Sequence, residues 1–137
     1  MTVRKITRDT NFLSRKAAAA TSNDLVVADD LRDTLMANKS LAAGLAANMI
    51  KQNKRIIAFY LGQLPVVMLN PKIVAKQGEY QAREGCLSLL GERNTQRYHE
   101  ITVMYQDMRL KTHTQRFTEF TAEVIQHEID HCDGILI

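Results

Sequence analysis

The chain lacks several features that mark whole classes of protein. Its 137 residues include only two cysteines, Cys86 and Cys132, and these form no Cys-x-x-Cys pair. No window approaches the unbroken apolar run that a membrane span needs. The basic, polar stretch 1–10 is not followed by the apolar core of a secretory signal. Since unpaired cysteines suit a reducing compartment, we expect a cytoplasmic protein with no membrane partner.

A strong charge of either sign is also lacking. Eighteen basic and fifteen acidic residues give a formal net charge of +3, which is too small and too dispersed to indicate a sequence-specific nucleic-acid partner. Weak, transient contact with the ribosome is compatible with this charge. There is no repeat, low-complexity segment or interdomain linker. With 45% apolar residues, the chain is expected to form one domain, 1–137, around one core.

The hydrophobic pattern predicts short strands between two helices. Ser22-Asn23-Asp24 followed by Val27, Leu31 and Leu35 indicates a capped amphipathic helix. A final helix is expected over about 121–132, ended by Gly134. Strands are predicted at 55–61, 65–69, 101–105 and 116–120, with Gly62-Gln63 as a tight turn between the first two. This order predicts an α+β fold, with antiparallel β-sheets wrapped around the terminal helix.

The residues His127-Glu128-Ile129-Asp130-His131 carry the strongest chemical pattern. Histidines four residues apart lie on one face of a helix, so both imidazoles can reach one metal ion. Glu128 lies beside them, where a base for metal-assisted hydrolysis is needed. The alternative is a helix with one histidine on the surface and the other in the core. A catalytic metal site also needs a third protein ligand.

Cys86, in the segment Glu84-Gly85-Cys86-Leu87-Ser88, is the candidate third ligand. Taken alone, it could equally be a small buried thiol. The Glu-Gly-Cys-Leu-Ser peptide occurs together with the His-Glu-x-Asp-His helix in the peptide deformylases. A third block, Gly44-Leu45-Ala46-Ala47, precedes both in the same order and at similar spacing. The chain therefore resembles the peptide deformylase family from about Asp29 through Ile135.

The resemblance implies a ligand set and an activity. Cys86, His127 and His131 would hold one divalent metal ion. Fe²⁺ is the implied native metal, and a Cys/His/His site also accommodates Zn²⁺, Ni²⁺ or Co²⁺. Glu128 would carry the proton, and the backbone N–H of Leu87 would stabilise the oxyanion. The implied reaction removes the N-formyl group from N-formylmethionyl peptides or nascent chains.

Further residues are expected at the substrate. Gly44 and Gly85 would let the peptide backbone approach closely, beside Ala43, as an added strand. By resemblance, Glu123 and Val124 wall the pocket for the methionine side chain. A carboxylate is costly to bury there, so Glu123 either selects a polar or basic side chain, points to solvent, or pairs with an arginine. The resemblance also places Arg93 at the distal end of the peptide, although an exposed arginine is an equal alternative.

Position 49 departs most clearly from the family pattern. The family has a glutamine there that donates to the oxyanion, and this chain has Met49, which cannot donate. Asn48 carries an amide one residue earlier and is a possible replacement. Loss of one oxyanion donor typically lowers turnover about 100–1,000-fold. Asp130 is expected to orient a ligand or to cap the helix, with a solvated surface position as the alternative.

Two other functions stay open. The changed oxyanion and pocket positions suit a deformylase-fold hydrolase of a different N-acylated substrate. They also suit a deformylase-like binding protein without turnover, although such a protein does not need Glu128. A helical metalloprotease is less favoured, because those enzymes use histidine or glutamate as third ligand where this chain offers Cys86. The apolar end 135–137 is expected to be covered by sheet, covered by a neighbouring subunit, or exposed. Cys132 is expected to serve packing. The oligomeric state is not predicted.

Overall fold

The computed structural model describes residues 2–137, which form three α-helices and five β-strands. The helices are α1 (Thr10–Leu13), α2 (Leu25–Ala37) and α3 (Glu119–Cys132). The strands are β1 (Gly44–Ala46), β2 (Ile56–Leu61), β3 (Leu64–Cys86), β4 (Leu89–Gln106) and β5 (Thr112–Thr118). There are also two 3₁₀ turns. Ser22–Asp24 directly precedes α2, and Ala47–Ile50 directly follows β1.

The five strands form one antiparallel sheet in the order β1-β2-β3-β4-β5, and each strand pairs with its neighbour along the chain. Together with the terminal helix, this confirms the predicted α+β fold. Gly62 has a positive φ of 64° in the turn between β2 and β3, which a glycine adopts without strain. A second tight turn, Leu87-Ser88, joins β3 to β4, and Cys86 is therefore the last residue of β3.

Three of the predicted strands have wrong bounds. The segments 65–69 and 101–105 are the buried parts of the much longer strands β3 and β4. The remaining parts of β3 and β4 form a long, largely exposed hairpin. This hairpin lacks the alternation of apolar and polar residues by which strands are recognised in a sequence. The last strand ends at Thr118, and Phe120 already belongs to α3 rather than to the predicted strand 116–120.

Helix α3 packs on the sheet through one apolar face. Ala122, Ile125 and Ile129 are buried at the helical spacing of three and four residues. Gln126 fixes the helix to β4, because its side chain accepts from the N–H of Tyr98 and donates to the carbonyl of Tyr98, both at 2.9 Å. Gly134, with φ 78°, follows the last turn and its N–H donates to His131 O at 3.0 Å. The end predicted for this helix is confirmed.

Helix α2 confirms the predicted amphipathic helix, with Leu31 and Leu35 fully buried. Its start differs in detail: Thr21 and Asp24 exchange hydrogen bonds around the preceding 3₁₀ turn. At the other end of the chain, Ile137 is buried while Ile135 and Leu136 are exposed. Among residues 2–137, none of the helices combines the length and the apolarity that a membrane crossing requires.

Candidate active site

Three ligand-type side chains meet where β3 ends beside α3. Sγ of Cys86 lies 3.3 Å from Nε2 of His131. Nε2 of His131 in turn lies 3.2 Å from Nε2 of His127. The three donor atoms all lie within 4.8 Å of one another, and both histidines are buried. The structure therefore brings together the three residues predicted as metal ligands.

The spacing of these atoms fits a metal ion. With metal–nitrogen bonds of about 2.0–2.1 Å and metal–sulfur bonds of about 2.3 Å, tetrahedral geometry separates two nitrogens by about 3.3 Å and a sulfur from a nitrogen by about 3.6 Å. The observed separations are 3.2 Å between the two nitrogens and 3.3 Å between sulfur and nitrogen. A soft thiolate with two imidazoles suits Zn²⁺, Fe²⁺, Co²⁺ or Ni²⁺. The residues present fit such an ion.

Glu84 sets the orientation of His127. Nδ1 of His127 lies 2.7 Å from Oε1 of Glu84. Because an ionised carboxylate only accepts, Nδ1 donates to Glu84, and Nε2 is the nitrogen that faces the other ligand atoms. Burial alone would lower the pKa of His127, but its hydrogen bonds with Cys86 and Glu84 raise that pKa to about 10. His131 differs, because burial and the charge of His127 lower its pKa to about 3.

Arg97, on β4, neutralises the carboxylates beneath the ligands. Its guanidinium donates to both oxygens of Glu84, at 2.7 and 2.9 Å, and to Asp130 at 2.7 Å. Burial would raise the pKa of Glu84, but the bonds from His127 and Arg97 lower it to about 2. Asp130 was expected to orient a ligand or cap the helix. Its side chain instead accepts from Arg97, which donates to Glu84, and Glu84 in turn contacts His127. Asp130 is therefore connected to His127 only through Arg97 and Glu84.

Sequence reasoning missed three residues here: Glu84 and Arg97, which orient His127, and Gln126, which holds α3 on β4. Glu84 and Gln126 stand inside the recognised blocks and could have been found there, since a metal-bound histidine usually donates its second N–H to a carboxylate. Arg97 lies outside the blocks. Nothing in the sequence pattern marks it, and its role is visible only in the structure, where it pairs with buried Glu84 and half-buried Asp130.

Glu128 is the buried acid of the site. It is 4% exposed, and its Oε1 has no hydrogen-bond partner among the described residues. Burial raises the pKa of Glu128 to about 7, and the charge of His127 offsets this only in part. A Cβ added to Gly44 would lie 3.1 Å from Oε2 of Glu128 and 2.7 Å from Cγ1 of Val124. Glycine at position 44 therefore keeps the space beside the carboxylate open.

Position 49 holds a buried thioether. Met49 is 1% exposed and lines the cleft described below, and its Sδ lies 3.4 Å from the backbone N of Ala46, which donates to it. Asn48 points elsewhere. Its side-chain amide donates to the carbonyl of His131 at 2.7 Å and so contacts the end of α3. The Asn48 amide therefore does not replace the missing donor in this structure.

A cleft of about 410 Å³ opens beside Cys86 and His127, whereas His131 is fully buried behind them and does not line it. Val124, Leu87, Leu41 and Phe120 provide apolar lining, and Glu123 and Arg83 provide charge. The sequence-predicted residues that line it are Ala43, Gly44, Met49, Gly85, Cys86, Leu87, Glu123, Val124, His127 and Glu128. Thus residues from β1, β3 and α3, far apart in the sequence, surround one space.

Two other residues lie apart from this space. Arg93 is not among the lining residues, and its Nη2 donates to the carbonyl of Leu90 at 3.1 Å. Cys132 is buried in the core, where burial raises its pKa to about 12, and it is not part of the ligand cluster. It packs as a small apolar side chain, as expected.

A buried carboxyl beside a Cys/His/His cluster, on an α+β scaffold with an adjoining cleft, is the arrangement of a metal-dependent hydrolase. The sequence model of the family described as polypeptide deformylase matches residues 3–137. A peptide deformylase of Clostridium beijerinckii is 50% identical over 135 residues, which cover 98% of this chain and 99% of the relative. A peptide deformylase of Dictyoglomus turgidum is 36% identical and is covered over 90% of its length.

Solved structures agree with the sequence relatives. An actinonin-bound class I type b peptide deformylase of Acinetobacter baumannii superposes with a TM-score of 0.88 at 28% identity, covering 99% of this chain and 96% of that one. The Thermus thermophilus peptide deformylase gives a TM-score of 0.85 at 31% identity, with coverages of 98% and 82%. The chain belongs to the peptide deformylase family. It is a metal-dependent hydrolase that acts on N-formyl peptides.

Proposed function

We propose that Cys86, His127 and His131 hold one divalent metal ion with which the protein removes the formyl group from N-formylmethionyl peptides. The observation that carries this proposal is the convergence of the three donor atoms within 4.8 Å, beside buried Glu128. Fe²⁺ is the proposed native metal, by family resemblance. Zn²⁺, Ni²⁺ and Co²⁺ are alternatives that the donor set accepts.

Each group has a defined part in the proposed reaction. Cys86, His127 and His131 would hold an ion that, when bound, would supply Lewis acidity to a water molecule and to the formyl carbonyl. Glu128 takes a proton from the water molecule while the oxygen of that water attacks the formyl carbon. Glu128 then passes that proton to the peptide nitrogen as the carbon–nitrogen bond breaks, which releases formate and a free amine. The N–H of Leu87 donates to the oxyanion.

Met49 is proposed to limit this reaction. The thioether has no proton to donate, and the Asn48 amide is occupied by the carbonyl of His131. Only the Leu87 N–H is then left of the two donors that the family pattern implies. We expect turnover about 100–1,000-fold below that of the same protein with a donor at position 49.

The proposal includes how the peptide binds. An extended peptide would lie along the cleft beside Ala43, Gly44 and Gly85, with its first side chain against Glu123 and Val124. Gly44 supports this placement, because a side chain there would collide with Val124. A Met-Ala-Ser-bound structure of the Acinetobacter baumannii enzyme is among the solved relatives, so the same tripeptide is a suitable probe. Arg93 is proposed to contact the distal end of longer peptides.

The proposed setting is the cytoplasm, where nascent formylated chains are available at the ribosome through transient contact. The proposed catalytic unit is a single domain over residues 1–137. One hydrophobic cluster that includes residues from Leu13 to Cys132 supports this unit.

One assay tests the proposed function. The protein is purified without oxygen, loaded with Fe²⁺ or Ni²⁺, and given formyl-Met-Ala-Ser while formate is measured. We expect turnover that Glu128→Ala abolishes and Met49→Gln increases. Release of formate that is unaffected by Glu128→Ala would contradict the role of Glu128. A wild-type protein and a Met49→Gln variant that both bind metal but release no formate would favour a different N-acylated substrate or a binding function.

A further inference from the structure

The two histidines of the candidate metal site are held in different ways. The ring of His127 is fixed through Nδ1, which lies 2.7 Å from Oε1 of Glu84. The ring of His131 has no such contact, because its Nδ1 is buried and has no hydrogen-bond partner among residues 2–137. His131 nevertheless presents Nε2 to Sγ of Cys86 at 3.3 Å and to Nε2 of His127 at 3.2 Å. A contact away from its ring nitrogen Nδ1 therefore has to hold His131 in place.

The position of His131 in α3 requires an anchor outside the helix. His131 is the last residue but one of α3, and the final four carbonyl groups of a helix have no partner within it. The carbonyl of His131 accepts from the N–H of Gly134 at 3.0 Å, but that bond comes from the same chain end. The N–H of Ala17 donates to the carbonyl of Cys132 at 2.8 Å, one residue beyond His131. Neither bond ties His131 itself to the rest of the domain.

Asn48 supplies the anchor at His131. Its side-chain Nδ2 donates to the carbonyl oxygen of His131 at 2.7 Å. Asn48 is 1% exposed and His131 is fully buried, so water does not compete for this bond. Asn48 belongs to the 3₁₀ turn Ala47–Ile50, and the N–H of Thr7 donates to the carbonyl of Met49 in the same turn at 2.8 Å. The bond thus ties the last turn of α3 to a segment that is itself fixed.

We propose that Asn48 is a positioning residue for His131 as a metal ligand. By holding the carbonyl, it fixes the backbone from which the imidazole reaches Cys86 and His127. Glu84 has the corresponding task for His127, which it performs at the ring. Without the Asn48 bond, the last turn of α3 is free to shift, and Nε2 of His131 leaves the point where the three donor atoms meet. This inference rests on the proposed metal site.

A matched pair of variants isolates this contact. Asn48→Leu removes the donor and keeps a side chain of similar size. Asn38→Leu is the control, because Asn38 also donates to a carbonyl in the last turn of a helix, that of Thr34 in α2, at 2.8 Å. Each variant loses one bond between an amide and a carbonyl. Of the two asparagines, Asn48 is the one that contacts a candidate metal ligand.

Titration of the metal-free proteins with Co²⁺ measures the affinity and the absorption bands of the bound ion. We expect Asn48→Leu to bind Co²⁺ about 10–100-fold more weakly than wild type, as for other residues that orient metal ligands. Its d–d bands should also change, because they depend on the geometry of the ligands. Asn38→Leu should keep the wild-type affinity and spectrum.

Wild-type affinity and bands in Asn48→Leu, or an equal change in Asn38→Leu, would overturn the proposal. Thermal unfolding of the metal-free proteins reports whether each variant is folded. If Asn48→Leu does not fold, Asn48→Ala is measured in the same way, with Asn38→Ala as its control.

A failure of the proposed metal site is distinguishable from a failure of this inference. If wild type binds no Co²⁺ through Cys86, the proposed site fails, and amide hydrogen exchange in the metal-free proteins decides whether Asn48 fixes His131. We expect the amides in the last turn of α3 to exchange about 2–10-fold faster in Asn48→Leu, as for the loss of one hydrogen bond, and at the wild-type rate in Asn38→Leu. Unchanged exchange in Asn48→Leu would overturn the inference.

Discussion

Two carboxylates of this protein, Glu84 on β3 and Asp107 just after β4, have pKa values lowered to about 2 by different partners. Glu84 lies beneath the candidate metal site, is 7% exposed, and has a pKa of about 2 because His127 and Arg97 outweigh its burial. Asp107 lies in the turn between β4 and β5. Its pKa is also about 2, because His113 and the N–H groups of Lys111 and Arg109 donate to it.

The two clusters differ in what surrounds them. Around Glu84, each charge is buried with its partner, so removal of one partner leaves an uncompensated ion. Around Asp107, water can replace each donor, because the aspartate–histidine pair lies at the surface. A shifted pKa is therefore not by itself evidence of function. The Glu84 cluster is linked to function because it orients His127, a candidate metal ligand.

The largest effect that separates the two regions is expected from Arg97→Met. This change leaves Glu84 and Asp130 without their shared cation, and loss of one member of a buried ion pair costs about 3–5 kcal/mol of unfolding free energy. Arg116→Met is the matched control, since Arg116 pairs at 3.4 Å with Glu100 and is 68% exposed on its side chain. It should cost about 1 kcal/mol or less. Urea unfolding measures both; equal losses would remove the distinction between buried and exposed clusters.

A second, more specific effect is expected from Glu84→Gln. The amide keeps the shape of the side chain, but it has no negative charge to fix the proton on Nδ1 of His127. Loss of such a partner typically weakens metal binding about 10–100-fold. Competition with a chelator of known affinity measures the change. Metal affinity equal to that of wild type would show that Glu84 serves only the fold.

Asp107→Asn is expected to have the smallest effect, and that effect should be seen near neutral pH and lost in acid. A carboxylate whose pKa is lowered in the folded protein stabilises the fold at any pH above its pKa in the unfolded chain, here 3.8. This contribution is lost as the pH falls through the folded-state pKa of about 2. Asp107→Asn should therefore lower the melting temperature slightly at pH 6 and leave it nearly unchanged at pH 2. Metal affinity should stay as in wild type. A large loss of metal binding would contradict the separation of the two regions.

The same contrast explains how much the sequence could predict. His127, Glu128 and His131 were predictable because helical spacing alone places them together. Cys86 was predictable as part of a recognised block. The end of α3 and the turn Gly62-Gln63 followed from local patterns, whereas α3 begins at Glu119 rather than at about residue 121 and α1 was not predicted. What could be predicted depends on residues close in sequence.

Contacts between distant residues were not predictable in this way. Arg97 pairs in register with Tyr80, four residues before Glu84, and only its long side chain brings the guanidinium to the carboxylate. Asn48 could not be placed from sequence, because its partner is a backbone carbonyl 83 residues away. The exposed half of the β3–β4 hairpin has no apolar alternation, since neither face is fully covered.

The proposed metal site consists of one thiolate and two imidazoles that bind a single ion. Titration of metal-free protein with Co²⁺ under anaerobic conditions tests it most directly, because a thiolate bound to cobalt gives a charge-transfer absorption. We predict that this band saturates at one equivalent and disappears in Cys86→Ala, while Cys132→Ala retains it. A band that survives Cys86→Ala, or binding that needs neither His127 nor His131, would contradict the account.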